Sequence, residues 1–232
     1  CIMYGMSEAA VMTEDSPLDP KTEYARSKVK SERAIAALAS DGFSPTFLRN
    51  GTIYGLSPRM RFDTVLNNLV GSAVATGKVV LHSDGTPWRP VVHAHDVARA
   101  FFHVLQAPIE LVHNQAFNTG ENRMNHQIRE LAEIVADTVP GCTMECLSSP
   151  EADQRTYKTD FGKFARTFPA FQFRWTVREG AKELSDALKA VRLTSDNFTD
   201  RRFTRLKWLR YLLDSGQLDA TLRWQVPAGV TR

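Results

Sequence analysis

Tyr24-Ala25-Arg26-Ser27-Lys28 sets a phenol and an ammonium four residues apart, near the start of a stretch with helical spacing. At that spacing the two side chains lie one above the other on one face. A phenol titrates near pH ~10 and an ammonium slightly higher, so an isolated tyrosine is a poor base in neutral water. A lysine held beside it favours the phenolate. The pair therefore suits proton transfer to or from a substrate hydroxyl. The same spacing also occurs on solvated helix faces, so the stretches around it decide between the two readings.

Working outward, Cys1 to Tyr4 is apolar and reads as the end of a buried strand. Gly5 to Lys21 is a long loop rich in Ser, Asp and Pro, and the tyrosine helix is expected from about Thr22 to Ser40, stopped by Gly42. Phe43 to Asn50 reads as a strand. Phe62, Val65, Leu66, Leu69, Val70 and Ala73 trace one face of a second helix. Short strands are expected at 79–82, 91–93, 116–118 and 143–147, with a turn at 84–87. Val97 to Leu105 forms a helix face, Asn125 is placed to cap another, and Asp160 begins a short one. Thr176-Val177-Arg178-Glu179 is a capping-box pattern opening a helix through Val191. Leu206, Leu209, Leu212 and Leu213 mark a last helix, with Arg201, Arg202, Arg205, Lys207 and Arg210 around it. A solvated face suits these charges better than a nucleic-acid patch, because aromatic residues for base stacking are sparse.

Several stretches in order resemble the extended short-chain dehydrogenase/reductase family, in its nucleotide-sugar epimerase/dehydratase branch. Tyr4-Gly5 is similar to the pair closing that family's catalytic-serine strand. Glu14, Pro17 and Pro20 precede Tyr24 as in the loop before its YxxxK helix. Leu48 to Gly55 resembles its "LRxxNxYGP" segment, Arg89 to Ala100 its "RDxxHVxDxAxA" segment, and Phe117-Asn118-Thr119-Gly120 its "FNxG". The resemblance covers about residues 1 to 190. It implies an α/β fold: the C-terminal part of a doubly wound, Rossmann-type parallel sheet with a smaller α/β substrate domain. Residues 1–55 and 88–120 would belong to the cofactor domain, 56–87 and 121–192 to the substrate domain, and 193–232 to a helical extension.

By the same resemblance, Tyr24 and Lys28 are the catalytic pair, Lys28 also holds a nicotinamide ribose, and Asn50 neighbours the nicotinamide. The implied cofactor is NAD, with NADP not excluded, and the implied substrate is a nucleotide-sugar. Arg89 corresponds to an arginine gripping the diphosphate, which suits a guanidinium fork. Asn68 corresponds to an amide meeting the nucleotide, Thr52 stands where the family usually has a substrate-contacting Asn, and Arg155 is a substitute for a second phosphate arginine. Arg59 and Arg61 suit an anionic substrate or solvent equally. The family's catalytic Ser or Thr falls one residue before Cys1. Its 4,6-dehydratases carry an acidic pair where this chain has Cys1 and Ile2, so epimerase or ketoreductase chemistry is favoured. The family packs its tyrosine helix against a second copy, which implies a homodimer.

Composition sets the outer bounds. The 232 residues are 43% hydrophobic and 24% charged, as in a globular protein. A net charge of +3 gives no argument for a nucleic-acid or membrane partner, and no apolar run approaches the ~20 residues of a membrane helix. The three cysteines, Cys1, Cys142 and Cys146, form no disulfide or zinc framework, which reads as a reducing, cytoplasmic setting. His93 and His95 share one side of a strand but lack further ligands, so no metal is expected.

No G-x-x-G-x-x-G turn occurs, and the chain opens without Met inside an apolar run. The expectation is therefore a C-terminal part of a longer protein. Alone it would be inactive, would not bind NAD or NADP at micromolar levels, and would be poorly soluble through an exposed strand edge at 1–4 and uncovered apolar faces. The rival for function is a cofactor-sensing or RNA-binding relative without turnover; such relatives usually lose the Tyr/Lys pair.

Overall fold

The computed structural model describes residues 1–5, 11–81, 83–147 and 156–225. Cys1, Met3 and Tyr4 are buried, but Ile2–Tyr4 is a 3-10 turn and not the end of a strand. So short an apolar run carries no period that separates the two. Gly5 closes the turn at φ 78°, which a side chain would strain. The exposed strand edge expected there is absent. On a later helix Phe101, Phe102 and Leu105 are exposed.

The chain continues through β1 (Val11–Met12) to α1 (Glu23–Ala36). The Thr22 hydroxyl caps α1 by accepting the Ala25 N–H at 3.1 Å. The helix stops six residues before Gly42, because Ser40 and Phe43 exchange backbone bonds in a tight turn. There follow β2 (Thr46–Asn50), β3 (Thr52–Tyr54), α2 (Val65–Thr76), β4 (Lys78–Leu81) and β5 (Trp88–His93). Phe62, expected on the α2 face, lies in the loop before that helix.

Next come α3 (Ala94–Leu105), α4 (Ile109–Val112), β6 (Gln115–Thr119), β7 (Asn125–Gln127), α5 (Ile128–Thr138) and β8 (Thr143–Cys146). Gln127, not Asn125, caps α5, in a capping box with Glu130; Asn125 instead bonds Thr159 and Asn122. The last elements are β9 (Lys158–Thr159), α6 (Gly162–Thr167), α7 (Val177–Ala190), α8 (Ser195–Thr199) and α9 (Arg205–Asp214). The Thr176/Glu179 capping box opens α7 as its sequence pattern predicts.

Strand pairing is mainly parallel. β2 runs with β6, from Thr46 opposite Gln115 to Asn50 opposite Thr119; β3 runs with β5, β4 with β8, and β1 with β9. β7 pairs antiparallel with β5. Such parallel pairs need long crossovers, and helices supply them. The fold is thus α/β with parallel strands, as the resemblance implies.

The largest apolar core joins α2, β4, α5 and α7 through Leu66, Val70, Val79, Leu131, Val135 and Leu184, all at 0% exposure. A second, aromatic cluster around Phe117, Phe164 and Phe168 backs β6. Among the described residues, no helix is long and apolar enough to cross a membrane, and no group of three His, Cys, Asp or Glu is placed to hold a metal. The three cysteines are free thiols.

Candidate active site

Capping by Thr22 sets the first turn of α1, and with it the direction of Tyr24 and Lys28. The Lys28 Nζ stands 5.3 Å from the centroid of the Tyr24 ring, within cation–π range. Tyr24 is 59% exposed, so its hydroxyl is open to a ligand.

Glu32 continues the Tyr24–Lys28 stripe by one more turn of α1. Its carboxylate receives two bonds from the Arg49 guanidinium, Nη2 at 2.5 Å and Nε at 3.0 Å. Arg49 sits on β2, is buried, and also donates to the Tyr4 hydroxyl (2.9 Å) and the Glu14 carbonyl (3.1 Å). The Tyr4 hydroxyl donates to Asn118 Oδ1 at 2.6 Å, and the Asn118 N–H donates to Glu14 Oε1 at 2.7 Å. One polar network thus ties α1, the loop before it, the first turn, β2 and β6 together. Burial opposes the Arg49 charge, but the bonds to Glu32 and Tyr4 outweigh it and hold the guanidinium more firmly protonated than usual. Burial raises the Tyr4 phenol above its ordinary value despite the bond from Arg49.

Asn50 ends β2, and its Oδ1 is buried without a hydrogen-bond partner. Thr52 opens β3 opposite Val91 of β5. Gly51 between them lies against Pro90, where a Cβ would come within 3.2 Å of the carbonyl oxygen. Arg89, one residue before Pro90, is buried; its Nη1 donates to the Trp88 carbonyl (2.9 Å) and its guanidinium lies 5.5 Å from the Tyr157 ring centroid. Asn50, Thr52 and Arg89 therefore sit on consecutive or adjoining strand segments.

Asn68 lies on α2, and its Nδ2 donates to the Phe62 carbonyl at 2.9 Å. Asn67 beside it accepts the Gly55 N–H and donates to the Arg61 carbonyl. The two amides thus shape the loop between β3 and α2. In that loop Arg61 pairs with Asp63 at 2.8 and 3.0 Å. Burial pushes the Asp63 carboxyl up, but the Arg61 guanidinium and the Arg205 backbone amide hold it below the usual range. Arg155 lies outside the described residues.

His93 ends β5 fully buried, stacked on Trp175 at 3.9 Å between centroids. Its Nδ1 accepts the His95 N–H, so the neutral ring carries its proton on Nε2, which donates to Glu183 Oε2 at 3.0 Å. Burial lowers its pKa, against the pull of Glu183. The histidine is a helix cap and a tie to α7.

Sequence reasoning did not find Arg49 or Glu32. The available signals were a charged residue within an apolar strand, and a glutamate four residues beyond Lys28 on the same face.

A family model described as the NAD dependent epimerase/dehydratase family matches residues 1–120. The UDP-glucose 4-epimerase of Bacillus subtilis strain 168 is 24% identical over 202 residues, covering 75% of this chain and 59% of that protein. Among solved structures, a dTDP-glucose 4,6-dehydratase from Streptomyces venezuelae with NAD and TYD bound is similar at TM-score 0.70 and 23% identity, over 82% of this chain and 58% of its own. A UDP-glucuronic acid 4-epimerase from Bacillus cereus, in complex with UDP-glucuronic acid and NAD, gives 0.67 and 19% over 82% and 59%. At these identities the structures show a shared fold. The chain spans about three fifths of the length of these relatives.

Proposed function

The chain belongs to the NAD dependent epimerase/dehydratase family, and we propose that it carries the proton-transfer and substrate side of an NAD-dependent enzyme acting on a nucleotide-activated sugar. Epimerisation or ketoreduction is preferred to 4,6-dehydration, because Cys1 and Ile2 stand where the dehydratases resembled carry their acidic pair. The observation that carries this reading is the Tyr24–Lys28 pair, open to a ligand at one end of a stripe whose other end is locked by Glu32 and Arg49.

The residues present fit the nicotinamide end of NAD. Asn50 offers a buried, unpartnered acceptor at the carboxyl end of a parallel strand, where α/β folds bind ligands, and Lys28 offers an ammonium beside Tyr24. The sequence has no glycine-rich turn for the pyrophosphate, so residues 1–232 by themselves are proposed to be inactive. Bound NAD would supply hydride acceptance and return. Tyr24 takes the proton of a sugar hydroxyl as that carbon becomes a transient keto centre, and gives it back when the hydroxyl re-forms. Lys28 favours the charged phenol during that exchange. Arg89 and Thr52 face the nucleotide-sugar, with the α2 amides holding the adjoining loop.

The reading assigns residues 1–55 and 88–120 to the cofactor side, 56–87 and 121–192 to the substrate side, and α1 to a homodimer face. The free thiols suit a reducing compartment such as the cytoplasm. A non-catalytic sensing or RNA-binding role is disfavoured by the retained Tyr24–Lys28 pair. The test is Lys28→Met in the intact protein. It should slow turnover of UDP-glucose and weaken NAD binding together; unchanged NAD affinity by calorimetry would count against the assigned ribose contact.

A further inference from the structure

The segment after α7 lies beyond the residues matched by the family model, yet it is built into the loop between β3 and α2. Phe198 of α8 and Phe203 enclose the Phe62 ring, each with centroids 5.0 Å away. The Phe62 N–H donates to the Phe203 carbonyl at 3.1 Å. Within that loop the Asp63 carboxylate grips the Arg61 guanidinium. Ser195 Oγ anchors the far end of the segment on the Ala75 carbonyl at 3.1 Å.

Gly71 explains how the rings seat. It lies inside α2, where glycine weakens a helix relative to alanine. A Cβ there would come within 2.7 Å of Phe198 and 2.9 Å of Phe62. The helix thus carries a glycine where both rings press on its backbone.

The loop they hold, residues 55–64, is fixed from inside by Asn67 and Asn68 and from outside by this segment. We propose that residues 194–203 are positioning residues of the substrate site: through Phe198 and Phe203 they hold loop 55–64, which runs from β3, the strand of Thr52, to α2, the helix of Asn68, in place for binding a nucleoside diphosphate-sugar. The inference rests on the proposed function for its ligand, but its geometry stands apart from it.

The test compares the intact wild type with Phe198→Ala and Phe198→Leu by hydrogen exchange, UDP-glucose calorimetry and steady-state kinetics. Phe198→Ala should speed exchange of amides 56–64 about tenfold with α5 unchanged, and weaken UDP-glucose binding about tenfold. The kcat at saturation should stay within about threefold, and Phe198→Leu should restore most of the affinity. Unchanged exchange in 56–64, or faster exchange with wild-type affinity, would overturn the inference. A wild type that binds no UDP-glucose would instead sink the functional reading and the ligand half of this one, while the exchange result still decides whether the segment holds the loop.

Discussion

Two regions of the molecule are held together by different physics. Around α1, β2 and β6 the ties are directional and polar: Glu32 to Arg49, Arg49 to Tyr4, Tyr4 to Asn118, Asn118 to Glu14. Around α2, α5 and α7 they are apolar and non-directional, with Leu66, Val70, Leu131, Val135, Ala181 and Leu184 at 0% exposure. An apolar contact tolerates small slides, whereas a two-pronged guanidinium–carboxylate bond fixes both distance and direction. The helix carrying Tyr24 and Lys28 is fixed by the second kind of tie, which suits a site where a misplacement of about 1 Å costs ~10²-fold in rate.

The largest effect is expected from breaking the polar side. Arg49→Met leaves the half-buried Glu32 carboxylate without its partner, a loss on the order of 3–5 kcal/mol where such pairs are fully buried and less here because Glu32 is partly exposed. Denaturant unfolding should show that loss, and turnover per folded molecule should fall as well, since α1 loses its tie to β2. Wild-type turnover in the folded fraction would mean the network serves stability alone.

On the apolar side, Leu184→Ala should cost about 2–4 kcal/mol through lost burial and a residual cavity. Here turnover per folded molecule should stay near wild type. A fall in turnover larger than that of Arg49→Met would invert the comparison.

The smallest effect sharpens the border between the two regions, where His93 joins β5 to α7. Its folded pKa is lowered by burial against the pull of Glu183, with His95 and Asp96 as the other charges near it. The unfolded chain therefore takes up a proton first as pH falls through about 6.5, and stability declines there by at most about 1.4 kcal/mol per pH unit. His93→Gln keeps a donor and an acceptor without titrating. Its unfolding free energy should be flatter between pH 7 and 5 than that of the wild type; equal slopes would show that another group titrates there.

The legible parts of the fold were those written in local sequence. Thr176 and Glu179 announce the start of α7 because both halves of a capping box lie within four residues. Tyr24 and Lys28 meet because helical periodicity alone brings them together. The rest depended on distant partners. Cys1 to Tyr4 is a turn whose burial comes from segments far along the chain, and β3 is three residues long, too short to show alternation. Arg49 and Glu32 are 17 residues apart, on a strand and a helix, and no local pattern pairs them. The pairing of Asn68 with Phe62, and of Phe62 with Phe198 and Phe203, likewise appears only when loop 55–64 is folded against the C-terminal segment.

The account turns on the Tyr24 hydroxyl as the group that moves the proton. Tyr24→Phe removes that oxygen and leaves the exposed ring, the Thr22 cap and the Glu32–Arg49 tie in place. The decisive measurement is the steady-state rate of UDP-glucose turnover by intact Tyr24→Phe protein with NAD, beside wild type. A fall in kcat of ~10²-fold or more, with NAD affinity within about threefold, is the predicted result. Turnover near the wild-type rate would contradict it.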